Sequence, residues 1–145
     1  MAGSKTNAFE TALLQHIYQN AAIANIGNAG GLLPSSVAGN FYIALYSVAP
    51  SETGGGTECN YTGYARVAVV RSASGFTVSG NQASNAAKVT FGECTGGAQT
   101  AVAFAIMTAA SGGDMINWAD LSASRSIDVG SIPEFAIGAL TVTED

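Results

Sequence analysis

The chain has 145 residues, of which 48% are apolar and only 10% charged, about one domain's worth of sequence. That composition excludes a disordered chain, which stays soluble through charge. Five basic against ten acidic side chains exclude a general nucleic-acid binder, which needs a surplus of cations to displace counterions from phosphates.

A soluble domain ordinarily carries about 25% charged residues, so a surface this neutral points to coverage by another protein. Residues 1–5 (MAGSK) hold no apolar signal core. The longest apolar run, Ala101–Met107, is far short of the ~20 residues that span a bilayer. A soluble protein with no membrane partner is expected.

The first element is a helix. Asn7 suits the N-cap and Glu10, three residues on, completes a capping box. Phe9, Leu13 and Ile17 then recur every fourth residue, with Leu14 and Tyr18 broadening the stripe. From Ala21 to Asn40 the chain is rich in Ala, Asn and Gly and reads as an extended loop, in which Leu32-Leu33-Pro34 forms an irregular anchor.

From Phe41 the period changes. Phe41–Val48 (FYIALYSV) is aromatic and β-branched enough for a strand buried on both faces, and residues 50–56 (PSETGGG) end it with turn chemistry. Further strands are expected at Tyr64–Arg71, Phe76–Val78, Ala87–Phe91, Thr100–Met107, Met115–Ala119, Ser126–Val129 and Glu134–Val142. About eight short strands at this spacing predict a mainly β protein, a β-sandwich or jelly roll with one N-terminal α-helix. Residues 1–40 (helix and loop) and 41–145 (sandwich) are expected to form a single domain.

Catalytic chemistry is hard to place. The one histidine, His16, lies in the predicted helix with neither a nucleophile nor an orienting acid beside it. Asp114, Asp120 and Asp128 fall at turns and strand ends, where Asp bonds its own backbone. Gly54-Gly55-Gly56-Thr57 lacks the Gly-Lys-Ser/Thr ending of a phosphate-binding loop. Cys59 and Cys94, with one distant histidine, do not reach zinc-ligand spacing; they are either free thiols or a disulfide between neighbouring loops. No catalytic residue, cofactor or metal is expected. Tyr42, Tyr46, Tyr61, Tyr64 and Trp118 are divided between core, protein interface and a sugar-stacking face.

Several stretches resemble a family of small tailed-bacteriophage virion proteins, often labelled tail-fibre proteins. Residues 7–18 (NAFETALLQHIY) resemble its opening segment, and residues 43–58 (IALYSVAPSETGGGTE) its strand, Ala-Pro-Ser and Gly-rich turn. Gly63-Tyr64-Ala65-Arg66, AKVTF at 87–91, AASGGD at 109–114, WADL at 118–121 and FAIGALTVT at 135–143 continue the likeness in order. Ala21–Gly39 and the two cysteines depart from it.

The resemblance implies a non-enzymatic virion protein made in the host cytoplasm. Its size and look are also those of capsid cement proteins, so the first expectation is a decoration protein that bridges major capsid subunits, as a homo-oligomer. The alternatives are a tail-fibre, baseplate or collar component contacting tail proteins, and a carbohydrate-binding host-recognition module. Phe9, Leu13 and Ile17 on the helix, with Leu32 and Leu33 in the loop, are the candidate interface residues; the competing reading buries all five in the subunit's own core.

Overall fold

The structure, a computed structural model, describes Met1 and residues 3–144. It is mainly β, with one N-terminal helix and antiparallel sheets, in keeping with the expected β-sandwich. The chain divides into two compact units. Unit 1 comprises residues 1–39, 70–88 and 136–145; unit 2 comprises residues 40–69 and 89–135.

In unit 1, helix α1 (Asn7–Gln19) packs on the sheet formed by β4 (Phe76–Ser79), β5 (Gln82–Asn85) and β10 (Thr141–Thr143), in the order β10-β5-β4. The N-cap is Thr6, whose side-chain oxygen accepts from the Phe9 amide at 3.3 Å. Asn7 is therefore the first helical residue, and Glu10 sits one position too late to close the expected capping box. At the other end Asn20 takes the left-handed conformation that ends helices. The Arg71 guanidinium adds charge where the helix dipole is negative, donating to Ile17 O at 2.7 Å and His16 O at 3.1 Å.

The buried face of α1 is Leu14 and Tyr18, one residue round from the Phe9-Leu13-Ile17 stripe. The Tyr18 ring tilts against Phe76 at 5.1 Å between centroids, and Gln19 Nε2 donates to Phe76 O at 2.8 Å.

Asn85 organises the rest of this unit. It is buried, yet both ends of its amide are used: Nδ2 donates to Ala87 O at 2.7 Å and Ala136 O at 2.9 Å, while Oδ1 accepts from the Leu140 amide at 2.9 Å. The side chain thereby fixes a turn over residues 136–140, with Gly138 at φ 75°. That turn divides the single strand expected over Glu134–Val142 into β9 (Glu134–Phe135) and β10, which lie in different sheets.

Unit 2 is built on β1 (Asn40–Val48), β2 (Thr57–Glu58), β7 (Gln99–Met107) and β8 (Met115–Ile127), in the order β2-β1-β7-β8, with β3 (Val67–Val70) also pairing β1. A two-stranded sheet of β6 (Val89–Thr90) and β9 accompanies it. β1 pairs β7 from Tyr42↔Met107 to Tyr46↔Ala103. Alternation therefore puts Ala44, Tyr46, Ala103, Ala105 and Met107 on one face, where Trp118 and Met115 pack against them. Ile43, Leu45, Phe104 and Ile106 take the other face. Both faces of β1 are buried, as its composition predicts.

The second face meets β9 through a run of rings: Phe104 to Phe135 at 5.9 Å, Phe135 to Phe91 at 6.2 Å, Phe91 to Tyr64 at 6.1 Å, and Tyr64 to Tyr61 at 5.3 Å. Offset and edge-on rings at these distances hold the layers beyond simple area burial.

The strands expected at Met115–Ala119 and Ser126–Val129 are one element, β8. Its pairing with β7 slips between Asp120↔Ala103 and Arg125↔Ala101, so residues 121–124 bulge opposite Val102. Replacing Asn85 with Ala strands a buried amide and two carbonyls, and should cost on the order of 3 kcal/mol; a urea melt checks it, with an unchanged midpoint counting against the role assigned to this side chain.

Candidate functional site

Arg66, in the Gly-Tyr-Ala-Arg segment, makes the densest set of polar contacts in unit 2. Its Nε donates to Glu58 Oε1 at 2.8 Å and its NH2 to Glu58 Oε2 at 2.7 Å, a forked pair. NH1 donates to Ala109 O and Gly112 O, both at 2.7 Å. Tyr64 Oη donates to Glu58 Oε1 at 2.8 Å and accepts from the Leu45 amide at 3.0 Å. One guanidinium thus ties β2 to the turn between β7 and β8. These side chains draw residues 64–66 away from the strand expected over Tyr64–Arg71, which begins only at Val67.

Burial pushes the Glu58 carboxyl up, but hydrogen bonds from Arg66 and Tyr64 and the Arg66 charge outweigh it and hold the group below its ordinary 4.5. The bond to Glu58 in turn raises Arg66 above its usual value. The tyrosine beside them titrates far above its ordinary range, through burial and then its bond to Glu58.

Glycine is required where this segment begins. A Cβ on Gly63 would strike Glu93 O, and one on Gly92 would strike Gly63 O, so two backbones touch where no side chain fits.

Cys59 and Cys94 are buried free thiols, and both raise the Tyr61 hydroxyl, which burial already pushes up, to about 12. Burial, with the Glu58 charge, pushes the Cys59 thiol up to about 11. Tyr46 and Tyr61 are core residues, whereas Tyr42 and Trp118 are half-buried. Of the aromatic set read from the sequence, then, two are core and Trp118 reaches an open groove. Among the described residues no group of three His, Cys, Asp or Glu could hold a metal, and no helix is long and apolar enough to cross a membrane. His16 Nδ1 donates to Ala21 O at 2.6 Å at the end of α1.

The candidate interface residues all lie in unit 1. Phe9 is 38% exposed, Leu32 42% and Leu33 72%, while Leu13 and Ile17 are half-buried. The loop carrying the two leucines is closed by a pair of bonds: the Ser35 amide donates to Asn20 Oδ1 at 2.8 Å, and Asn20 Nδ2 donates to Ser35 O at 2.9 Å. Inside it Ile23 and Leu32 exchange backbone bonds at 2.9 Å. Val37, 77% exposed just beyond the latch, extends the apolar set and was not singled out from sequence, where an isolated valine in a Gly-rich stretch carries no periodic signal.

A comparison with family models matches residues 4–143 to the podophage GP4 fiber I protein gp80 family. The chain belongs to that family. No curated protein matches it. Membership in the gp80 family makes this a phage fibre structural protein and a virion component, and it supports the tail-fibre alternative over the capsid-cement expectation.

Two measurements follow. Glu58 has a folded-state value below its unfolded one, so its stabilisation is full above about pH 4.5 and drains away as the pH falls through the lowered value. Glu58→Gln should flatten the acid limb of the stability curve and cost about 2–3 kcal/mol at pH 7; a pH series of denaturant midpoints reads both. A thiol reagent at pH 8 meets a Cys59 thiolate fraction reduced roughly a hundredfold by a value near 11. The folded protein should label slowly, and two equivalents should react once urea unfolds it. No labelling in urea before reductant is added, with the protein running as a monomer on a non-reducing gel, would instead establish a Cys59–Cys94 bond.

Proposed function

We propose that the protein is a non-enzymatic building block of a phage tail fibre, made in the host cytoplasm, that works by gripping neighbouring tail proteins and copies of itself. The observation that carries this reading is the combination of a family match along residues 4–143 with aliphatic side chains held out to solvent on a latched loop. Leu33 at 72% exposure gains little from folding; burying a leucine fully at a contact is worth about 1.5–3 kcal/mol. Fixing the loop beforehand through Asn20 and Ser35 lowers the ordering cost of that contact.

Phe9, Leu13, Ile17, Leu32 and Leu33 are the proposed gripping set. Many weak copies of such a contact, repeated along a fibre, add through effective concentration. A low proportion of charged side chains suits surfaces destined to be covered.

Antibody-gold labelling of purified particles should mark the tail at low copy number, whereas dense label over the head would return the protein to the cement role. Leu33→Asp, at an exposed position, should leave thermal stability within about 0.5 kcal/mol while sharply reducing incorporation into particles when supplied to a phage lacking the gene. Normal incorporation of Leu33→Asp, with Leu32 also changed, would remove the loop from the assembly contact.

A further inference from the structure

Unit 2 carries an open groove of about 530 Å³ between the turn at residues 51–54 and the start of β8, within the range of about 300–1,000 Å³ typical of small-molecule sites. Ser51, Glu52 and Thr53 line one wall; Asp114, Asn117 and Trp118 line the other. Both walls are rigid. Ser51 and Gly54 exchange backbone bonds at 3.0 and 2.8 Å, and the Ser51 hydroxyl adds bonds of 3.0 Å to Thr53 Oγ1 and Gly54 O. Across the groove, Thr108 accepts from the Asp114 amide through Oγ1 at 2.8 Å and donates its own amide to Asp114 O at 2.9 Å. The preceding residues are held by Arg66.

We infer that this groove binds a neutral saccharide chain. The lining decides the chemistry. Glu52 and Asp114 carry carboxylates with no protein hydrogen-bond donor among the described residues. They accept hydroxyl protons well and repel an anion. Only two acids and no His or Cys line the space, which does not make a metal site. Hydroxyls of Ser51 and Thr53 both donate and accept. The indole of Trp118, packed on the alanine-lined face of the sheet, offers an apolar surface beside these polar groups. A ligand matching all of this has many hydroxyls, no negative charge and an apolar C–H face, and an open groove lets a chain run through. The inference rests on the fibre reading only for its biological use.

Trp118 is the single tryptophan of the chain, so its fluorescence reports this groove alone. Titration of the full-length protein with maltoheptaose, cellohexaose and chitohexaose should give a saturable change with at least one of them, and none with an anionic hyaluronan hexasaccharide. Asp114→Asn and Glu52→Gln, at exposed positions, should each weaken that binding by about tenfold, the loss of one charge-assisted hydrogen bond. Trp118→Ala, followed by saturation-transfer NMR, should abolish it. No saturable change with any neutral probe, binding untouched by both carboxylate variants, or a preference for the anionic probe would overturn the inference. The fibre role has a separate readout, since particle incorporation of Asp114→Asn stays normal whether or not the groove binds sugar.

Discussion

Glu58 closing on the fork of Arg66 is the interaction on which the polar side of unit 2 depends. A two-residue strand such as β2 has too few ladder bonds to hold itself, and a turn of small residues, like Ala109-Ala110-Ser111-Gly112-Gly113, has little apolar surface to pack. One guanidinium solves both problems by spending two donors on a carboxylate and a third on two carbonyls. The pair is largely shielded, with side-chain exposures of 8% for Arg66 and 26% for Glu58. Removing either partner leaves a charge stranded, which costs more than the intact pair contributes. Tyr64 extends the constraint inward, since its hydroxyl joins Glu58 to the Leu45 amide and its ring begins the stack that ends at Phe104. Polar fastening and aromatic core are therefore one continuous structure.

Sequence reading succeeded where burial follows composition. Phe41–Val48 and Thr100–Met107 are dense in apolar side chains and both became long central strands. The helix was legible from its four-residue period. Its face was legible in part: Leu14 and Tyr18, which the sheet covers, are read from sequence as the flank of a stripe centred on Phe9, Leu13 and Ile17, because hydrophobic period fixes an element and not the azimuth at which it docks.

Strands with little side-chain signal were missed for a related reason. β5, with sequence Gln-Ala-Ser-Asn, has only Ala83 as an apolar residue, and it exists because β4 and β10 flank it and because Asn85 is bonded on every side. The division of Glu134–Val142 likewise turns on a side-chain amide nearly fifty residues earlier, which no local pattern can show. The Arg66 fastening was half visible: Gly63-Tyr64-Ala65-Arg66 and the 43–58 stretch that ends at Glu58 both carry the family likeness, but no sequence pattern pairs the two side chains.

Closure of the 21–34 segment by Asn20 and Ser35 has a consequence for how such a chain diversifies. Because the ends are joined to each other, residues may be added or lost between them without transmitting strain to the helix, and the entropic charge for extra length grows only logarithmically. The segment is thus a replaceable cassette on a fixed mount, whose length can change while the scaffold beneath keeps its shape.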